Sequence, residues 1–311
     1  MDRISSTASY QSVLINLMAG ENAQNIAQQQ VTTGKLGDDL QSYAAQADSL
    51  TATRSLQARL TTYVANGSAL SDKLSAQNQA LTTVSTAATA ARSAVAEALA
   101  NGDATALMTS LQSQLSQATS ALNTQYNGQY LFAGGQTGTA PVDATALSDL
   151  TANGVAGSFK NDQTKTVSRL DDTTTTTTGV LASDVATPLF TALQTVEAYS
   201  QGPNGPLTGT LTPTQTTFLQ GVLSSFDTAF NTVNTAVATN GLAQTQVAAS
   251  QTSLKDQQTA LTNTLGDLTD ADPATAASNL ALAQTALQAS AQVFSTLKAS
   301  SLLSALGVTS A

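Results

Sequence analysis

The stretch from Thr214 to Leu268 carries a repeating apolar seam with no proline to interrupt it. Taken every seven residues, one row reads Phe226, Val233, Asn240, Val247, Leu254, Leu261, Leu268. A second, offset by four, reads Phe230, Val237, Gln244, Gln251, Gln258, Leu265. Steps alternating between three and four residues place one narrow stripe along one helix. At about 1.5 Å per residue that helix would reach roughly 80 Å, and a lone stripe of such length cannot bury itself in water. The spacing therefore predicts an antiparallel partner helix of matching length.

Residues 48–100 supply one. Their rows are Leu56, Tyr63, Leu70, Gln77, Val84, Ala91, Ala98 and Leu60, Gly67, Leu74, Leu81, Ala88, Val95. Asn66-Gly67 is a potential local break, although one interior glycine costs only about 1 kcal/mol against alanine. Asn101-Gly102-Asp103 ends this helix, and Asp103 is placed to cap a third over 104–127, with Leu107, Leu111, Leu115, Ala118 and Leu122 inward and Gly128 as its C-cap.

The composition suits thin packing of this kind. Of 311 residues only 10% are charged and 4% aromatic, leaving few large side chains for a thick core. Histidine, cysteine and tryptophan are absent, which removes the imidazole base, the thiol nucleophile, the usual zinc ligands and any disulfide. A net charge of -9 with scattered Lys and Arg argues against nucleic-acid binding, which needs clustered positive charge. No window approaches the roughly 18 apolar residues of a membrane span, and Met1–Ser6 lacks the pattern of a cleaved secretory signal.

The two ends read as incomplete halves. Val13, Leu14, Leu17, Met18, Ile26 and Val31 form a sparse stripe before a loop at Thr33–Asp39. Asp270-Ala271-Asp272-Pro273 introduces a final helix over about 274–305, with Leu280, Leu287, Phe294 and Leu297, then Leu302-Leu303. Stripes this thin predict that the termini pair with each other in a tube shared between subunits; the alternative is that the last helix packs on the rod of its own chain. The candidate interface is thus Leu14, Leu17, Ile26, Val31, Leu280, Leu287, Phe294, Leu297, Leu302 and Leu303.

Between the rod helices, residues 137–212 are rich in Thr, Gly and Pro. Gln129–Gly135 reads as an extended exit from the third helix. Gly157–Lys160, Thr164–Leu170 and Thr174–Val180 read as short strands turning at Asn161-Asp162, Pro188–Ser200 as a short helix, and Pro213 as the start of the long return helix. The expected fold is mainly α: an elongated antiparallel, coiled-coil-like rod built by the N- and C-terminal parts, with a small β-containing inserted outer domain. Its segments are a 1–47 assembly segment, 48–136 rod helices, the 137–212 insert, a 213–268 rod helix and a 269–311 assembly helix.

Chemistry-bearing constellations are thin. Asp38-Asp39, Asp171-Asp172 and Asp270/Asp272 suit either loop solvation and helix capping or a cation and acid–base pair, with no EF-hand spacing beside them. No Gly-x-Ser-x-Gly elbow, Ser-x-x-Lys motif or P-loop occurs. Composition and motifs predict no catalytic residue, cofactor or metal. Gln244, Gln251 and Gln258 form either a polar ladder fixing register with a neighbouring subunit or the wet flank of the stripe.

Short motifs add a resemblance. Arg3-Ile4-Ser5, Thr33-Gly34-Lys35, Leu268–Asp272, Leu280 to Gln288 and Ser300–Leu303 resemble the ends of the bacterial flagellin and hook-associated protein 3 family, although Leu36–Leu40 departs from its usual continuation. Asn123–Gly134 resembles the Asn-x-x-x-x-Gly-x-Tyr-x-Phe-x-Gly stretch where hook-associated protein 3 leaves rod for outer domain, and Phe159–Leu170, Gly179-Val180 and Phe190 resemble its β insert. The resemblance implies a structural subunit joining hook to filament, with flagellin itself as the close alternative. It further implies self-assembly into a ring, other hook-associated proteins, flagellin and an export chaperone as partners, and an extracellular, flagellar location reached through the flagellar export channel. An adhesin or glycan-binding module on a helical stalk is the alternative of another class.

Overall fold

The computed structural model describes residues 2–38 and 40–305, with the side chains of 2–10, 40, 41, 45 and 300–305 outside the description. Two compact units result: residues 1–60 with 256–311, and residues 61–255. Helices α1 (Asp2–Thr33), α2 (Ala47–Asn101), α3 (Leu107–Leu122), α4 (Leu147–Ala152), α5 (Gly154–Gly157), α6 (Ala182–Gln201), α7 (Pro213–Thr269) and α8 (Pro273–Ala305) dominate, and a 3₁₀ turn covers Leu40–Gln46. Strands β1 (Gln125–Tyr126) and β2 (Gln129–Tyr130) form one antiparallel hairpin, β3 (Val167–Arg169) and β4 (Thr175–Thr177) another.

Within the unit of 61–255, α2 and α7 run antiparallel, as their heptads predict. Ser85 Oγ lies 3.0 Å from Asn234 Oδ1, Arg92 Nε donates to Asp227 Oδ1 at 2.6 Å, and Asn240 Nδ2 donates to the Leu74 carbonyl at 2.9 Å. Along α2 the row Leu60, Gly67, Leu74, Leu81, Ala88, Val95 is buried throughout. Gly67 does not break the helix. It is an approach point: a Cβ there would stand 3.0 Å from Gln251 Cγ.

On α7 the first row, from Phe226 to Leu254, is buried, but the second differs from the expected one. Ala229 and Ala243 are buried while Phe230 is exposed and Val237, Gln244, Gln251 and Gln258 are half-buried. The small side chains fill the contact because closely spaced helix axes leave room for alanine, and the larger residues flank it. The glutamine row is therefore the flank, although Gln244 Nε2 does reach the Leu74 carbonyl at 3.1 Å and so helps hold register within one chain.

The apolar core of this unit joins α2, α3, α6 and α7: Leu81, Leu111, Leu115, Phe190, Leu193 and Phe226 are all enclosed. Residues 137–212 share it through α6, which begins at Ala182 rather than Pro188 and carries that proline internally. Helix α7 starts with a capping box: Thr212 N donates to Gln215 Oε1 at 3.0 Å, Gln215 N donates to Thr212 Oγ1 at 3.3 Å, and Pro213 occupies the first turn.

Several local expectations need correction. Helix α3 begins at Leu107, with Asp103 Oδ1 instead accepting from Thr105 N at 2.8 Å, and it ends at Leu122, five residues earlier than the sequence suggests. Asn123 causes that early end: its side chain brackets Val142, donating to the carbonyl at 2.8 Å and accepting from the amide at 3.1 Å. Gly128 is consequently no C-cap. Asn127 (φ 51°) and Gly128 (φ 76°) are the two positive-φ residues of a tight β1–β2 hairpin turn, for which Asn-Gly is the favoured pair. The expected strand at Gly157–Lys160 is the end of α5 and a single bridge from Phe159 to Val142. Asn161-Asp162 turns no hairpin either; Asp162 Oδ1 accepts from Gly135 N and Thr164 N, each at 2.9 Å. The β3–β4 turn is made by Asp171, whose Oδ1 accepts from Thr173 N and Thr174 N at 2.7 Å each.

Candidate assembly interface

In the unit of 1–60 with 256–311, α1 lies along α8 of the same chain. The sequence favoured pairing of the termini within a tube shared by copies; here the two pair directly, and the seam between them follows heptad spacing on both sides. On α1 the inward residues are Val13, Leu17, Gly20, Gln24 and Ala27; on α8 they are Ala276, Leu280, Ala283, Leu287, Ser290, Phe294 and Leu297. Only Ala27, Ala276 and Ala283 are fully buried. Small residues again set the distance: a Cβ added at Gly20 would sit 3.6 Å from Leu287 Cδ1.

Of the ten predicted interface residues, Leu17, Leu280, Leu287, Phe294 and Leu297 are half-buried in this seam. Leu14, Ile26 and Val31 are exposed. The Leu302 and Leu303 side chains lie outside the described residues. Sequence reasoning passed over Gly20, Ala27, Ala276 and Ala283, which only the three-and-four step of the row picks out, and also Ile15, Leu282 and Val293, which are large, apolar and exposed. At 3.6 residues per turn, Leu14, Ile15, Met18 and Ile26 fall on the side of α1 away from the seam, while Leu282 and Val293 share a second face of α8. Each helix thus buries one thin stripe and leaves other large apolar side chains in water.

A clasp closes the base of this pair. Leu36 N donates to the Thr269 carbonyl at 2.8 Å and Ala271 N to the Gly34 carbonyl at 2.9 Å, an antiparallel bridge between the loop after α1 and the turn between α7 and α8. Lys35 Nζ pairs with Asp270 Oδ1, a half-exposed contact that contributes little to stability by itself. The buried Tyr43 hydroxyl donates to the Gly37 carbonyl at 2.7 Å and accepts from Gly37 N at 3.1 Å. Asp272 caps α8, accepting from Ala274 N and Thr275 Oγ1 at 2.9 Å each.

These carboxylates are structural. The Lys35 hydrogen bond holds Asp270 below the usual carboxylate range, and the Ala274 amide does the same for Asp272. Asp171 is lowered to about 2, chiefly by the Thr173 amide. Among the described residues no group of three or more Asp or Glu could hold a metal ion, and no helix is long and apolar enough to cross a membrane. A cavity of about 370 Å³ between the β3–β4 hairpin and α7 is lined mainly by Thr, Val and Ala, and its two charged groups, Lys165 and Asp184, pair with each other at 2.9 Å.

Residues 4–137 match the bacterial flagellin N-terminal helical region and residues 223–306 match the bacterial flagellin C-terminal helical region. The chain belongs to the bacterial flagellin family. It is a structural protein of the bacterial flagellum, an extracellular organelle; the two matched regions take in α8 and all of α1 but its first two residues. The fold is shared with a protein described as a flagellar hook-associated protein of Vibrio parahaemolyticus (TM-score 0.58, 17% identity, 72% of this chain and 97% of that one). It is shared also with FlgL of Bacillus cereus (TM-score 0.54, 15% identity, 70% of this chain and 99% of that one). Among curated protein sequences none matches this flagellar subunit.

Four of the five fixed positions in the motif stretch 123–134 have a physical reason. Asn123 ties α3 to Val142, Asn127-Gly128 turns the hairpin, and Phe132 is fully enclosed while its carbonyl accepts from Ala182 N at 3.0 Å. Gly134 (φ 69°) leaves room for the Asp162 carboxylate.

Proposed function

We propose that this protein is a hook-associated protein 3-like subunit that joins hook to filament by packing rather than by catalysis. The α1–α8 pair with its uncovered second apolar rows is the observation that carries the reading: Leu14, Ile15, Met18 and Ile26 on one helix and Leu282 and Val293 on the other meet water in the isolated chain. Copies arranged in a ring would cover those rows, together with the predicted interface positions Leu280, Leu287, Phe294, Leu297, Leu302 and Leu303. Other hook-associated proteins and flagellin are the neighbours on either side, and an export chaperone would shield the same rows before assembly. Export through the flagellar channel suits terminal helices whose seam is this thin.

The hook-associated name of the Vibrio parahaemolyticus neighbour supports a junction role over a filament role. Deletion of the gene, followed by electron microscopy, tests it. Hooks without filaments, with flagellin shed into the medium, is the result this reading requires. Normal filaments on motile cells would reject it, and absence of filament protein from both cell and medium would favour flagellin itself.

A further inference from the structure

The apolar core along α2 and α7 is interrupted. One cluster ends at Ala80 on α2 and Val233 on α7; a second, small cluster consists of Leu74, Ala243, Val247 and Leu170. Between them lie Gln77, with no exposed surface, and Asn240, 2% exposed. Both atoms of the Gln77 amide and Asn240 Oδ1 are buried with no hydrogen-bond partner in the protein. Farther along, Gln251 Nε2 is likewise buried without a partner, against Gly67. Polar atoms enclosed in this way oppose the closed state, because breaking the contact returns them to water. Nor is packing tight on the other side, where Asn240 and Ala243 border the 370 Å³ cavity.

We infer that the Gln77–Asn240 layer is a built-in parting line: the α2–α7 pair opens locally over residues 67–76 and 241–251 while the larger cluster beyond Ala80 stays closed. What holds the register at this point is polar, with Asn240 Nδ2 and Gln244 Nε2 both donating to the single Leu74 carbonyl. What holds the segment shut is the β3–β4 hairpin. Its Leu170 is buried in the small cluster, Tyr63 Oη donates to Asp172 Oδ1 at 2.7 Å, and Thr176 Oγ1 donates to Gln246 Oε1 at 2.6 Å. The hairpin acts as a strap across the compliant part of two long helices, so they yield there without melting the bundle formed with α3 and α6. The inference concerns the single chain and does not depend on the junction reading.

Native-state hydrogen exchange on the full chain, read by mass spectrometry, tests it. Amides in 67–76 and 241–251 should exchange at least about tenfold faster than those in 81–95 and 222–233, the signature of sub-global opening. Leu170→Ala should speed exchange in the first pair of segments by about tenfold or more and leave the second pair unchanged. Gln77→Leu combined with Asn240→Leu should join the two clusters and bring the rates together. Equal protection in the unaltered protein would overturn the inference. So would a Leu170→Ala effect spread evenly over both pairs of segments, or a folded double variant with unchanged exchange. If the double variant does not fold, the first two measurements still decide.

Discussion

Replacing Ile15, Met18 and Leu282 together by glutamine should separate assembly from folding. These side chains are 65%, 61% and 66% exposed in the chain by itself. Fully burying such a side chain is worth about 1.5–3 kcal/mol, so roughly two-thirds of that, about 1–2 kcal/mol each, is still to be gained when a neighbour covers them. Taken together this is about 3–6 kcal/mol per subunit, and at tenfold per about 1.4 kcal/mol the critical concentration for self-association should rise by roughly 10²–10⁴. Glutamine keeps helix propensity close to that of the residues it replaces, and the α1–α8 seam is untouched. Sedimentation across a concentration series reads the association, and far-ultraviolet circular dichroism reads the helix. Weakened association at unchanged helicity is the expected result. An unaltered critical concentration would refute the reasoning, and so would a loss of helicity, because the rows would then be holding the chain's own fold.

Two further outcomes follow from local geometry. Gly128→Val forces a β-branched side chain to φ 76° and should cost about 1–2 kcal/mol, lowering the melting temperature by roughly 2–8 °C, while Gly138→Ala, with open space around it, should be close to neutral by the same melt. Asp103, Asp149, Asp162, Asp171, Asp270 and Asp272 all have lowered folded-state pKa values from hydrogen bonds. The unfolded chain therefore binds more protons than the folded one as pH falls, so the stability they contribute is complete above the unfolded carboxyl value of about 3.9 and is lost as pH falls through each lowered folded-state value, which for Asp171 is about 2. With no histidine in the chain, melting temperature should be flat from about pH 6 to 8 and drop steeply below about 4, with Asp171→Asn blunting the drop.

The long helices were legible because heptad spacing survives in a single sequence. Leu60 to Val95 on α2 and Phe226 to Leu254 on α7 are buried where the rows put them. What the rows misjudged was residue size. Phe230 and Val237 look more apolar than Ala229 and Ala243, yet close helix contact selects the alanines. The same bias hid Gly20, Ala27, Ala276 and Ala283 in the α1–α8 seam. Local signals also lost to distant contacts: Gly128 has the look of a helix stop, but α3 has already ended because Asn123 is spent on Val142, nineteen residues away. Hairpin β3–β4 was half-visible. Its strands lie inside the expected Thr164–Leu170 and Thr174–Val180, but the turn belongs to Asp171, whose role depends on the amides it meets. The clasp between Gly34–Leu36 and Thr269–Ala271 joins chain regions far apart in sequence, and no periodicity announces it.

Because the chain contains no cysteine, a single Met18→Cys or Leu282→Cys gives a unique label on each uncovered row. Maleimide reactivity of each variant, compared between free subunit and isolated flagella, tests directly whether neighbouring copies cover the α1–α8 pair. Rapid labelling of the free chain and near-complete protection in the organelle is the predicted result; equal labelling in both would contradict coverage of these rows by neighbouring copies.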